Sequence, residues 1–430
     1  MAHTARHSVA SAFNVLIVAQ VAMLCGVVAQ AADLKFDFGS GQAQPGFTKV
    51  PPQSAYSDAQ GFGFVRVAEP GKPAVFGVKV NEGNYDVTIR LGDPGRATST
   101  TIKAETRRLM LEKVETAAGK YETRTFTVNV RTPAIPGGGN VSLKPGEDAS
   151  ANWDDRLTLE FNGSSPAVAS IEIKPSTNAL TVFIAGDSTV TDQIGEPFAG
   201  WGQMLPRFFE AGVAVSNHAW SGLTLTTFDR QKRLEKVLSM MKPGDYVFVQ
   251  FGHNDQKEKD GGPFTTYKSN LKKYVEAVRG KGGIPVLVTS MERRRFDKDG
   301  KVTPTLADYA EAVRQEGAED KVPVIDLNAM SLKFYAAMGA DNSTKAFAFY
   351  PADSFPGQSK ELKDNTHHND YGAYELARCV VQGIKEKIPQ LASHLTADAG
   401  NFDPANPDSP EKVAIPISPP MDKIEKPEGN

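Results

Sequence analysis

The sequence predicts two architectures in series: an all-β sandwich over residues 32–176, then an α/β domain with a parallel sheet over residues 177–393. Three observations carry this. Before about Lys174 apolar and polar residues alternate, and after Pro175-Ser176-Thr177-Asn178 the apolar residues fall in near-continuous runs separated by amphipathic stretches. At 430 residues the chain also exceeds the roughly 250 to 300 residues at which a single hydrophobic core stops growing.

In the first part the alternating segments are 62–67, 85–91, 125–130, 157–161 and 171–173, punctuated by Gly, Pro, Asn and Asp. Period two between turn residues marks strands with one buried face, as in an antiparallel sandwich. In the second part the apolar runs are 182–185, 213–215, 246–249, 285–288 and 322–325, which suit parallel strands buried on both faces. Amphipathic stretches at 201–211, 226–241, 265–279, 306–316 and 371–387 alternate with them, so helices are expected on both faces of the sheet. Residues 394–430 form a Pro- and charge-rich tail, expected to hold too little apolar surface to order itself.

Lys and Arg total 48 against 51 Asp and Glu, a net charge of -3. That balance supplies no strong field to attract nucleic acid. With 40% hydrophobic and 23% charged residues, the chain is neither disordered nor fibrous. At the N-terminus, residues 1–11 carry Arg6 and no acid, 13–28 are mostly apolar, and Ala29-Gln30-Ala31 closes the segment. This is the pattern of a secretory signal peptide over 1–31, with an uncleaved anchor as the alternative. The mature chain is expected to be secreted or periplasmic and free of the membrane. Cys25 would leave with the leader, so Cys379 alone remains and no internal disulfide forms.

In an open parallel sheet the ligand crevice lies beyond the carboxyl ends of the strands. The residues there are Gly186-Asp187-Ser188, then 216–222 ending in Ser221-Gly222, then Gly252-His253-Asn254-Asp255, with Asp364-Asn365-Thr366-His367-His368 ahead of the last helix. A metal-free ester hydrolase needs a nucleophile, a base, a group to orient the base, and donors for an oxyanion. Ser188 is the candidate nucleophile, although position alone describes an N-cap serine equally well. Beyond the leader the histidines are 218, 253, 367, 368 and 394. His367 follows Asp364 by three residues on an expected turn, which lets the carboxylate reach one ring nitrogen and leaves the other for a nucleophile. His368 replaces it if the register slips by one, while His218 and His253 fit structural roles. Gly222, Asn254 and the Ser188 N–H are the candidate oxyanion donors.

These blocks, in this order, resemble the SGNH (GDSL-like) hydrolases. Together with 185–190, 200–206, Lys242-Pro243-Gly244-Asp245-Tyr246 and Glu292-Arg293-Arg294-Arg295-Phe296, they resemble the rhamnogalacturonan acetylesterases, over about 181–388. The resemblance implies a three-layer, flavodoxin-like sheet and a Ser188–His367–Asp364 triad with an oxyanion hole of Ser188, Gly222 and Asn254. It further implies deacetylation of pectic polysaccharide or oligosaccharide through an acetyl-serine, with no metal or organic cofactor. The sequence departs from the family where Leu223-Thr224 follow Gly222 in place of the frequent Arg-Ser. The first domain resembles galactose-binding-like sandwiches.

Trp220 and Trp201 are candidates for stacking on sugar or for packing, and Arg293, Arg294 and Arg295 for meeting uronate carboxylates or for forming a solvated face. Acetylated xylan, lipid and thioester substrates are the alternatives that keep the triad. A carbohydrate-binding protein without turnover is the alternative that discards it.

Overall fold

A computed structural model of the chain describes residues 34–419 except 68, 70–72, 149 and 260, together with Met1, Ala2, Met421 and 426–428. The expected signal peptide, apart from its first two residues, lies outside the described residues.

Ten strands come first: Leu34–Asp37 (β1), Thr48–Lys49 (β2), Phe62–Arg66 (β3), Ala74–Lys79 (β4), Gly83–Gly92 (β5), Thr98–Ala104 (β6), Arg108–Thr116 (β7), Tyr121–Val130 (β8), Arg156–Ser165 (β9) and Val168–Pro175 (β10). They form two five-stranded sheets, ordered β2-β1-β10-β5-β8 and β3-β4-β9-β6-β7. Every pairing is antiparallel except β1 with β2. Val87, Ile89 and Leu91 of one sheet share an apolar cluster with Phe76, Leu157 and Leu159 of the other. The alternation read in 85–91 is therefore an inward face, as period-two patterning requires.

The second half is built on Leu180–Gly186 (β11), Val213–Asn217 (β12), Tyr246–Gln250 (β13), Ile284–Val288 (β14) and Val324–Ile325 (β15). They are ordered β12-β11-β13-β14-β15 and all parallel. Successive residues of β11 feed opposite faces: Val182 and Ile184 join one core, Phe183 and Ala185 the other. On the first face pack Trp201–Met204 (α1), Leu327–Asn342 (α6), Asp370–Lys387 (α7) and Pro389–Ala392 (α8). On the second pack Leu225–Arg230 (α2), Arg233–Met240 (α3), Lys268–Gly280 (α4) and Ala307–Glu319 (α5). A two-stranded antiparallel ladder, Phe347–Tyr350 (β16) with Leu362–His368 (β17), precedes α7.

Two expectations change. The single helix expected over 226–241 is two, α2 and α3, broken where Lys232 adopts a left-handed φ of 62°. The break turns Arg233 inward to pair with Glu147, both side chains fully buried. The tail is ordered at least through Ser418. Phe402 and Val413 complete the core beneath α7, and buried Lys103 donates to the Pro416 carbonyl (2.7 Å) and the Ser418 hydroxyl (2.8 Å). A few well-placed apolar side chains and backbone acceptors for otherwise unpaired buried donors order it, which composition averages conceal.

Residues 33–430 form one compact unit. Ion pairs tie the halves together: Arg108 to Asp192 at 2.6 Å, Arg107 to Glu196 at 2.6 Å and to Asp370 at 3.0 Å, and Lys236 to Glu82 at 2.6 Å. Among the described residues no helix is long and apolar enough to cross a membrane.

Candidate active site

The strand order changes direction at β11, which has β12 on one side and β13 on the other. This is the switch point where α/β sheets place their ligands. Ser188 lies two residues past β11, on a turn in which the Asp187 carbonyl accepts the N–H groups of Val190 and Thr191, each at 3.1 Å. The turn is tight: a Cβ at Gly186 would stand 2.7 Å from the Val190 side chain. Ser188 is thus in a strand-to-loop turn and no helix opens on it.

Asp187 holds this turn from below. Its Oδ1 accepts the Thr189 N–H (3.0 Å) and hydroxyl (2.7 Å), and its Oδ2 stands 3.5 Å from His253 Nδ1, all in full burial. Burial alone would raise the Asp187 pKa, but His253 and Thr189 outweigh it and hold the carboxyl below its usual value. Gln250, at the end of β13, donates to the Thr189 hydroxyl (3.0 Å) and accepts Trp201 Nε1 (2.8 Å).

Asp364 and His367 sit on β17 and not on the expected turn. Phe347 pairs with His368 and Phe349 with Lys363, so 364–367 bulge out opposite Ala348 alone. The bulge folds Asp364 back: its Oδ1 accepts the N–H groups of Thr366 (2.8 Å) and His367 (3.0 Å), and its Oδ2 meets His367 Nδ1 at 2.8 Å. On the other side of the ring, His367 Nε2 is 2.9 Å from Ser188 Oγ. Burial would push the Asp364 pKa up, but the His367 ring and the two backbone N–H groups override it and hold the carboxylate well below its ordinary range.

The N–H groups of Ser188 and Gly222 donate to no protein acceptor among the described residues. Asn254 Nδ2 donates to the Leu223 carbonyl at 3.0 Å, and a carboxamide has a second hydrogen to give. These three donors lie on the segments that follow β11, β12 and β13.

His368 and His218 have partners of their own. His368 Nε2 meets the Tyr335 hydroxyl at 2.8 Å, and burial, with the charge of His367, pushes its pKa down to about 3. His218 Nε2 bonds Ser216 (3.0 Å), and burial beside Arg131, Lys236 and Arg233 keeps it neutral. Trp201 is fully buried, while Trp220 is half-buried against the α2–α5 side of the core.

Of the three arginines, Arg293 donates from Nε to Thr366 Oγ1 and from Nη2 to the His253 carbonyl, both at 3.2 Å, and so ties the bulge to the β13 loop. Arg294 bonds Ser343 (2.9 Å), Asn365 (2.9 Å) and the Ala340 carbonyl. Its guanidinium braces the bulge from behind. Arg295 is exposed. The supporting roles of Thr189, Gln250 and Arg293 were not read from the sequence, although Gln250 lies two residues ahead of the Gly252-His253-Asn254-Asp255 motif. Among the described residues no group of three or more His, Cys, Asp or Glu is placed to hold a metal ion.

A parallel α/β sheet with a hydroxyl, an imidazole and a buried carboxylate in one hydrogen-bonded line at its switch point has the architecture of a serine hydrolase. The chain belongs to the GDSL-like lipase/acylhydrolase family, the SGNH hydrolases, whose profile matches residues 184–373, and it is a serine esterase. It is 40% identical over 223 residues to the rhamnogalacturonan acetylesterase RhgT of Bacillus subtilis (strain 168), covering 51% of this chain and 96% of that one. The esterase YxiM of the same organism is 27% identical over 380 residues, 82% of this chain and 91% of its own. The crystal structure of YxiM overlays with a TM-score of 0.45 and 26% identity, covering 83% of this chain and 98% of that one.

Proposed function

We propose that the protein is an exported carbohydrate esterase that removes O-acetyl groups from rhamnogalacturonan by a Ser188–His367–Asp364 mechanism. The observation that carries this reading is the unbroken line from Ser188 Oγ through His367 (2.9 Å) to Asp364 (2.8 Å). The substrate class rests on the 40% identity to a rhamnogalacturonan acetylesterase, and export rests on the leader pattern in 1–31. Residues 32–176 are read as a galactose-binding-like sandwich that supports the catalytic domain.

In the reaction, Ser188 Oγ attacks the acetyl carbonyl carbon while its proton passes to His367 Nε2. The carbonyl oxygen becomes an oxyanion and is received by the N–H groups of Ser188 and Gly222 and the free N–H of Asn254. Collapse breaks the bond to the sugar oxygen, which leaves with the proton from His367. Water then attacks the acetyl-serine, giving its proton to the same nitrogen, and acetate departs as the Ser188 hydroxyl is restored. Asp364 keeps the Nδ1 proton and stabilises the imidazolium at each stage.

The test is acetate release from acetylated rhamnogalacturonan, with p-nitrophenyl acetate and longer-chain p-nitrophenyl esters alongside. Wild type is expected to release acetate and to prefer the acetyl ester, and Ser188→Ala to do neither. Preference for long chains, or full activity in Ser188→Ala, would overturn the reading.

A further inference from the structure

The C-terminal segment comes back to the active site. Lys426 Nζ stands 3.6 Å from Asp364 Oδ2, and the Glu428 carboxylate pairs with the Lys144 ammonium. Pro427, between them, is buried. Two residues of extended chain span about 7 Å, so 426–428 runs from the Asp364 side of the crevice to the Gly222 side. At Gly222, whose φ of +78° already favours glycine, an added Cβ would strike the Glu428 carboxylate and lie 2.9 Å from Lys144 Nζ. A carboxylate and an ammonium therefore sit directly against one of the proposed oxyanion donors.

The two partners are held very differently. Lys144 belongs to the all-β half, in the connection between β8 and β9, and its ammonium donates to the Ser221 carbonyl at 3.1 Å. Its own N–H donates at 3.1 Å to Glu147, a carboxylate fixed in full burial by Arg233 and by Trp153 Nε1 (2.8 Å). The Lys144 side chain is 21% exposed and that of Glu428 is 67% exposed. The cation is built into the rim, whereas the anion sits in an exposed pair of the kind that solvent weakens.

Resting on the esterase reading above, we propose that Lys144 is a specificity-determining residue that takes the carboxylate of a uronate sugar beside the acetylated position. Glu428 fills that subsite in the unliganded chain as a tethered carboxylate. A neutral acetylated sugar gives this ammonium nothing to pair with, while an acidic polysaccharide presents a carboxylate on its uronate units. The all-β half thereby enters substrate selection through one side chain, and the C-terminal segment competes with substrate for it.

The experiment uses the full chain. Binding of digalacturonate is measured by calorimetry for wild type, Lys144→Met, Lys144→Arg and Glu428→Gln, with xylobiose as the neutral control. Steady-state kinetics on acetylated rhamnogalacturonan oligosaccharides and on p-nitrophenyl acetate accompany it. A hydrogen-bonded charge contact of this type predicts about tenfold weaker digalacturonate binding in Lys144→Met, recovery in Lys144→Arg, and tighter binding in Glu428→Gln. The kinetic loss in Lys144→Met is expected in KM for the acidic substrate more than in kcat. Digalacturonate binding no better than xylobiose in wild type, or unchanged in Lys144→Met, overturns the subsite. So does a Lys144→Met defect of equal size on p-nitrophenyl acetate and on the acidic substrate, which would make the ammonium part of the oxyanion machinery. Lys144-dependent digalacturonate binding without acetate release from the pectic substrate leaves the subsite standing and refutes the assigned substrate instead.

Discussion

Replacing Asp364 by Asn tests the triad through the proton it positions. Asp364 Oδ1 accepts two backbone N–H groups, from Thr366 and His367, while Oδ2 faces His367 Nδ1. An asparagine has one acceptor and one donor end. The two backbone donors fix the carbonyl end at the Oδ1 position, because an NH2 there would confront two N–H groups. The NH2 then points at His367 Nδ1, which must become the acceptor, so that Nε2 carries the proton toward Ser188. The hydroxyl is left without a base. The wrong tautomer in a triad of this type costs about 10^4 in kcat, or about 5 kcal/mol at roughly 1.36 kcal/mol per decade. Turnover of p-nitrophenyl acetate near pH 7 measures the loss. A melting temperature close to wild type is expected, since both backbone bonds survive. Retention of more than about a tenth of kcat by a folded Asp364→Asn protein would refute the tautomer argument.

Asn254→Ala removes one proposed oxyanion donor and should lower kcat by about 10^2 to 10^3 with a smaller effect on KM, and an unchanged kcat would refute that role for Asn254. Arg233→Met leaves the buried Glu147 side chain without its guanidinium partner, with Trp153 Nε1 still bonded to it, which should cost about 3 to 5 kcal/mol in denaturant unfolding. A loss under about 1 kcal/mol would contradict the pairing. Burial raises the Asp255 pKa from 3.8 to about 8, against the opposing bond from the Leu225 N–H. Between those values the folded chain holds a proton that the unfolded chain has lost, so wild-type stability from this group falls as pH rises across that window. Asp255→Asn does not titrate, and its melting temperature relative to wild type should climb from pH 5 to pH 8. A constant difference would show that Asp255 is ionised in the fold.

The parts of the molecule most legible in the sequence were those where a single stretch carries its own pattern. Runs such as 182–185 and 246–249 are buried on both faces, so their apolar continuity survives any packing detail, and the residues just after them inherit a defined place at the strand ends. Asp364 and His367 were legible because three residues of spacing allow a contact, although the bulge that makes it was not. What escaped depends on partners far apart in the chain. Nothing adjoining Arg107, Arg108 or Arg233 in the sequence marks Glu196, Asp192 and Glu147 as their partners. Phe402 and Val413 are sparse in a polar tail, yet each meets a hydrophobic site already formed. Lys144 carries no motif, and its significance lies in Ser221 and Glu428, neither of which adjoins it in sequence.

The pairing of Arg108 with Asp192 has a practical meaning for handling this molecule. Asp192 lies four residues beyond Ser188, and its other oxygen takes the Asn217 carboxamide at 2.8 Å, so the loop carrying Ser188 is braced by an arginine from the opposite half. Cutting at residue 176 to isolate a minimal enzyme would strip that brace and bare several acidic groups at once. The seam is a feature of the primary structure only, and a front module exchanged among such esterases must bring arginines to meet Asp192, Glu196 and Asp370.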